Sequence, residues 1–148
     1  MLGFYVRRPH QELIDKLTQG AGLSYTSFTG CSILLFSASQ DLLKLSGEEA
    51  SQELSYATSH LTILSLCSYD NTIARELYIQ LQILFNDIRE TVASPVFRTM
   101  REKHAVVKDV APVPLSNYDA VEGAEEVRKT IVDIARSSMN VLHQSLSL

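Results

Sequence analysis

Apolar residues recur at helical spacing almost from one end of this chain to the other, and that periodicity restricts the fold more than any other feature. The strongest run is Ile73, Leu77, Leu81, Leu84 and Ile88, which falls on one helical stripe that Ala74, Tyr78 and Phe85 widen. Arg75, Glu76, Asp87, Arg89 and Glu90 lie mostly off that stripe, as a helix with one apolar face requires. Only Ser32 to Phe36 shows strand character, and that segment is embedded in a helical period. The expected class is therefore all-α, an irregular bundle of five to six helices.

Punctuation residues divide the periodic segments. Pro9 can open a short helix whose apolar face is Leu13, Ile14 and Leu17, and Gly20 and Gly22 stop it. Ser24 is the expected N-cap of a second helix carrying Tyr25, Phe28, Cys31, Leu34, Leu35 and Ala38. Ser46 and Glu49 have capping-box spacing at the start of a third, with Leu54, Ala57, Leu61, Leu64, Leu66 and Cys67. Tyr69-Asp70-Asn71 offers the next cap, and Ser94-Pro95 ends or kinks the long fourth helix, because the proline ring opposes helical geometry in the preceding residue. Val96 to Lys103 reads as a short basic helix, and Val106 to Tyr118, with Pro112 and Pro114, as loop. A last helix is expected from about Asp119, with Val121, Ala124, Val127, Ile131, Ile134, Ala135, Met139 and Leu142 inward. The 148 residues fit one domain. Its core is expected over 9–93, its basic turn and Pro-containing loop over 95–118, and its C-terminal helix over 119–146.

Charge narrows the partners. Seventeen acids against thirteen Lys and Arg give a net charge of −4, which argues against binding nucleic acid with the whole surface, so no direct nucleic-acid contact is expected. Leu17 to Gln40 is uncharged, but only eleven of its 24 residues are hydrophobic and Gly20, Gly22 and Gly30 interrupt it. It reads as a core helix with its entry turn rather than a membrane span, which wants about 20 predominantly apolar residues. Leu54 to Tyr69 also lacks formal charge, and two such helices in a small domain are expected to be buried on more than one side. Arg7 and Arg8 follow a short apolar start, the reverse of a secretory signal, so the expectation is a soluble intracellular protein without a membrane partner.

No catalytic template is matched. Gly30-Cys31-Ser32-Ile33-Leu34 lacks the second glycine of a nucleophile elbow, there is no Gly-Lys pair for a phosphate loop, and Gly20 and Gly22 lack a third glycine for a dinucleotide site. Cys31 and Cys67 are too few for a four-thiolate zinc site, and His10, His60, His104 and His143 are singletons. Cys67 and His60 are seven residues apart, about 10 Å along a helix. Glu48 and Glu49 diverge by about 100° around theirs. The chain is thus expected not to be an enzyme and to hold no cofactor. Arg98, Arg101, Lys103 and Lys108, interleaved with Phe97 and Met100, read as an amphipathic turn with solvated charges. Tyr25, Phe28, His60 and Cys67 are a candidate apolar pocket between the two uncharged helices, which keeps a small-molecule effector as the alternative reading.

The order Tyr25-x-x-Phe28, Ile33-Leu34-Leu35, Leu61-x-x-Leu64-Ser65, then Ala74-x-x-Leu77 and Leu81, resembles the C-terminal part of the fungal-specific transcription factor domain. That is the all-helical regulatory region of binuclear zinc-cluster regulators. The similarity covers roughly Leu23 to Thr91, and the six-cysteine zinc module and the front half of the regulatory domain are absent from this sequence. The resemblance implies a fragment or shortened relative in the nucleus, without catalytic residues. It would present apolar helical surface to itself or to another protein. The stripe Ile73, Leu77, Leu81, Leu84 and Ile88 is the candidate partner-binding face, unless the rest of the core covers it.

Overall fold

The computed structural model describes residues 24–107 and 115–147, and over these the chain is all-α, with five helices and no strand. Helix α1 occupies residues 24–43. Helices α2 (Gly47–Cys67), α3 (Thr72–Ala93), α4 (Pro95–Val107) and α5 (Ala124–Ser147) follow, with a 3₁₀ turn at Leu115–Tyr118. The expected helix at Leu13, Ile14 and Leu17, its stop at Gly20 and Gly22, Arg7, Arg8, Lys108 and the prolines Pro112 and Pro114 lie outside the described residues.

The α2–α3 hairpin is the centre of the fold. Asn71 accepts a hydrogen bond from the Ala74 amide at 3.1 Å and so satisfies one of the unpaired donors at the start of α3. Ser94 is extended (φ −63°, ψ 131°), as a residue before proline must be, and it ends α3 at Ala93. Pro95 then occupies the first position of α4, where its missing N–H costs nothing, and the Ser94 hydroxyl accepts from the Phe97 amide at 3.4 Å. Leu54, Leu61 and Leu64 of α2 share one buried core with Leu77, Leu81, Leu84 and Ile88 of α3. Phe97 and Met100 of α4 and Ile131 and Ile134 of α5 join it.

Helix α1 ends on a turn the sequence does not signal. The Ser46 amide donates to Asp41 O at 2.8 Å and the Leu45 amide to Leu42 O at 3.0 Å, with Leu45 at φ 57°. This is the Schellman arrangement, which ordinarily places glycine at the left-handed position. Leu45 is only 3% exposed. Burying its side chain contributes about 2 kcal/mol, enough to offset the roughly 1–2 kcal/mol of left-handed backbone strain.

Several boundaries depart from expectation. Ser24 is itself helical rather than an N-cap, and its buried Oγ has no hydrogen-bond partner among the described residues. Ser46 does precede α2, but at φ −96° and ψ 78° its side chain caps nothing, so the capping box with Glu49 does not form. Helix α5 starts at Ala124 rather than near Asp119, because Gly123 is left-handed (φ 82°) and Asp119 instead receives two hydrogen bonds from Arg128 at 3.0 and 3.1 Å. Leu66 is 72% exposed, and the outer face of α2 is open at Ser55, Tyr56, Thr58, Ser59, Thr62 and Ser65, so this uncharged helix is not enclosed on all sides.

The inward face of α5 also differs by one position. Met139 is 54% exposed, whereas Ser138 is fully buried and its Oγ lies 2.8 Å from the Ser39 Oγ of α1. Ser39 and Ser138 further donate to Phe36 O and Ala135 O or exchange the proton between them, so both hydroxyls are satisfied without water. Two small polar residues let α1 and α5 approach there. We predict that Ser138→Leu, which would make the α5 stripe look more regular, destabilises the protein by about 1–3 kcal/mol through overpacking. Met139→Leu should stay within about 0.5 kcal/mol, and chemical denaturation of both variants checks the contrast.

Candidate interaction surface

The sequence-derived stripe is divided by the structure. Leu77, Leu81, Leu84 and Ile88 are buried in the chain's own core, while Ile73, one turn before Leu77, is 68% exposed. Ile73 stands near Leu66 and Tyr69 in sequence, at the end of the hairpin where α2 turns into α3, and Tyr69 is 88% exposed. Ile79 and Ile83, four residues apart, are exposed on the side of α3 away from the core.

Beside these residues a groove runs along α2 and α3. Two depressions of about 290 and 370 Å³ adjoin at Thr58 and Phe85. One extends to Leu66 and Tyr78, the other to Ser51, Val92 and Ala93. Among the described residues lining both, Arg89 alone carries a formal charge, and its guanidinium carbon sits 6.0 Å from the centre of the Phe85 ring. Thr58 and Thr62 donate to Leu54 O and Thr58 O at 3.0 and 2.9 Å. Those bonds remove the hydroxyls from the groove's set of available donors and leave it more apolar than its composition suggests.

The four residues of the expected pocket have different surroundings. Phe28 is fully buried, Tyr25 is 44% exposed, and His60 and Cys67 are half-buried on α2. The His60 ring fills the space a side chain at Gly30 would need: a Cβ built there would lie 2.8 Å from Cε1 and 3.0 Å from Nε2. Between α1 and α2 at this level there is an imidazole rather than a void, and its buried Nδ1 makes no hydrogen bond among the described residues. Cys31 is also fully buried, and burial pushes its thiol up to about 12, the opposite of what a reactive cysteine needs.

The basic segment divides in the same way. Phe97 and Met100 are core residues, while Arg98 and Lys103 are exposed. Arg101 reaches over the first turn of α2, its Nη1 2.6 Å from where a Cβ on Gly47 would stand. Lys44, Arg101 and His104 line a cleft of about 400 Å³ there, together with Glu48, Glu49 and Glu102, so positive charge does not concentrate in it. His104 is tied to the 3₁₀ turn, its Nδ1 2.7 Å from the Tyr118 hydroxyl, and burial raises the pKa of that phenol. Asp87, on the outer side of α3, is raised as well, by partial burial and then by the neighbouring Glu90. Among the described residues no three His, Cys, Asp or Glu side chains are grouped as a metal ion would need, and no helix is long and apolar enough to cross a membrane.

No known protein family, curated protein or solved structure matches the chain.

The contact between Gly30 and His60 sets up a second prediction. Gly30→Ala gains about 1 kcal/mol of helix propensity but must displace the imidazole, which costs about 1–3 kcal/mol. Alone it should destabilise the protein; in a His60→Ala background it should stabilise it. A double-mutant cycle measured by urea unfolding reads the change of sign directly.

Proposed function

We propose that this chain is a non-catalytic helical interaction module, regulatory in role, that receives an amphipathic helix of a partner protein in the α2–α3 groove. The observation that carries this reading is the groove itself: uncharged among its described residues except for Arg89, and continuous with the exposed Leu66 at the turn end of the hairpin. From Ser51 to Leu66 it follows sixteen residues of α2, about 22 Å, which matches roughly four turns of a docked helix. Arg89 lies toward one end and suits an acidic residue at the corresponding end of the partner. The buried part of the α3 stripe holds this chain together and leaves the flank of the hairpin, not the stripe, for a partner. The transcriptional role and nuclear location rest on the resemblance of residues 23–91 alone.

The test uses a labelled sixteen-residue peptide with leucines at helical spacing and a glutamate at one end, titrated into the full chain and followed by fluorescence anisotropy. Saturable binding is expected, lost on scrambling the peptide and weakened about tenfold by Leu66→Glu or Thr58→Arg, both at exposed positions. Equal binding of the scrambled peptide, or indifference to both substitutions, would overturn the proposal. Light scattering over a concentration series accompanies it. A dimer abolished by Leu66→Glu would give the groove to a second copy of the chain instead.

A further inference from the structure

Two carboxyl groups meet across the α1–α2 corner. Asp41 of α1 is 7% exposed and Glu53 of α2 is half-buried. Asp41 Oδ2 and Glu53 Oε2 are both buried, and among the described residues neither finds a donor. The two side chains are within hydrogen-bonding reach of each other, yet two ionised carboxylates are acceptors only, so a bond between them requires a proton. Among the described residues, Glu53 from α2 and Lys44 from the turn after α1 are the charged groups that act on Asp41. The same residue also holds the corner through its backbone, since Asp41 O accepts from the amides of Lys44 and Ser46, on either side of left-handed Leu45.

We infer that Asp41 and Glu53 form a proton-operated latch that closes the α1–α2 corner when they share one proton and loosens it when both are ionised. A like-charge pair placed directly beside a strained turn makes the corner the point at which ionisation is felt. Leu42 and Leu45, buried next to the pair, are the core residues the opening would loosen. Asp41 is raised to about 7, first by burial, then by the hydrogen bond and repulsion from Glu53, with Lys44 opposing. The ordinary value is 3.8. A carboxyl raised on folding binds its proton more tightly in the folded state. Its stabilising contribution is therefore full below about pH 4 and is lost as pH rises through about 7.

Hydrogen exchange of the full chain, corrected for the intrinsic pH dependence of exchange, tests this at pH 5.5 and 8.5. Protection of amides 42–52 should fall about tenfold or more at the higher pH relative to amides 77–91, and the thermal midpoint should fall by on the order of 5 °C. Asp41→Asn and Glu53→Gln each supply a permanent donor and should flatten both responses. Lys44→Met, at an exposed position, should move the transition to higher pH. Unchanged protection in the wild-type chain would overturn the latch. So would a pH response that survives both amide substitutions, or one whose midpoint ignores Lys44→Met.

Discussion

The packing of α2 against α3 is the constraint on which the remaining structure depends. A four-residue turn with one good cap brings two long helices back to back, and their leucines close a seam from which water is excluded. Everything else is placed relative to that seam. Helix α4 inserts Phe97 and Met100 into the same core, α5 lies against α3, and α1 covers the other flank of α2. Burying the seam takes Leu77, Leu81, Leu84 and Ile88 into the core, and it explains why most of the most regular stripe in the sequence is not available to a partner.

Around the seam the helices add large apolar residues to the core, and at a few points small or polar residues let them approach closely. Gly30 admits the His60 ring, Ser39 and Ser138 meet hydroxyl to hydroxyl, and Gly47 lies under Arg101. Each contact works because a missing or short side chain on one helix is matched by a group on another. Glu53, His60 and Cys67, spaced by seven, share one face of α2, and the first two of them meet α1. That face holds the orphaned polar atoms of Glu53 and His60, so the α1–α2 boundary carries unsatisfied polar groups where the α2–α3 boundary is apolar. On the inferred latch, this difference would place the response to protonation at the corner rather than at the hairpin.

Much of the local structure was legible from residue types. Asn71, Ser94 and Pro95 act through short-range geometry, and the ends of α3 fell where those residues placed them. The buried sets Leu54/Ala57/Leu61/Leu64 and Leu77/Leu81/Leu84/Ile88 followed from period alone. What escaped had a non-local cause. Leu45 holds a left-handed position because core burial outweighs backbone strain, and Ser138 turns inward because Ser39 is opposite it. The Ser46–Glu49 spacing looked like a cap, yet the Schellman turn ending α1 directs the Ser46 backbone elsewhere.

The candidate site was less legible still. The sequence contains Leu66, Thr58 and Phe85, but nothing in their spacing marks a groove, since a groove is the space left by two helices and belongs to neither. Asp41 and Glu53 are twelve residues apart, and no motif links them until the corner between their helices brings them together. By itself, then, the sequence determined an all-α chain, most helix ends and the apolar stripes of α2 and α3 in most of their positions, because caps, prolines and period act within a few residues. Only the tertiary structure decided which stripe was consumed by the core, which flank stayed open and which acids became neighbours, because burial and proximity depend on how the helices pack, not on any one of them.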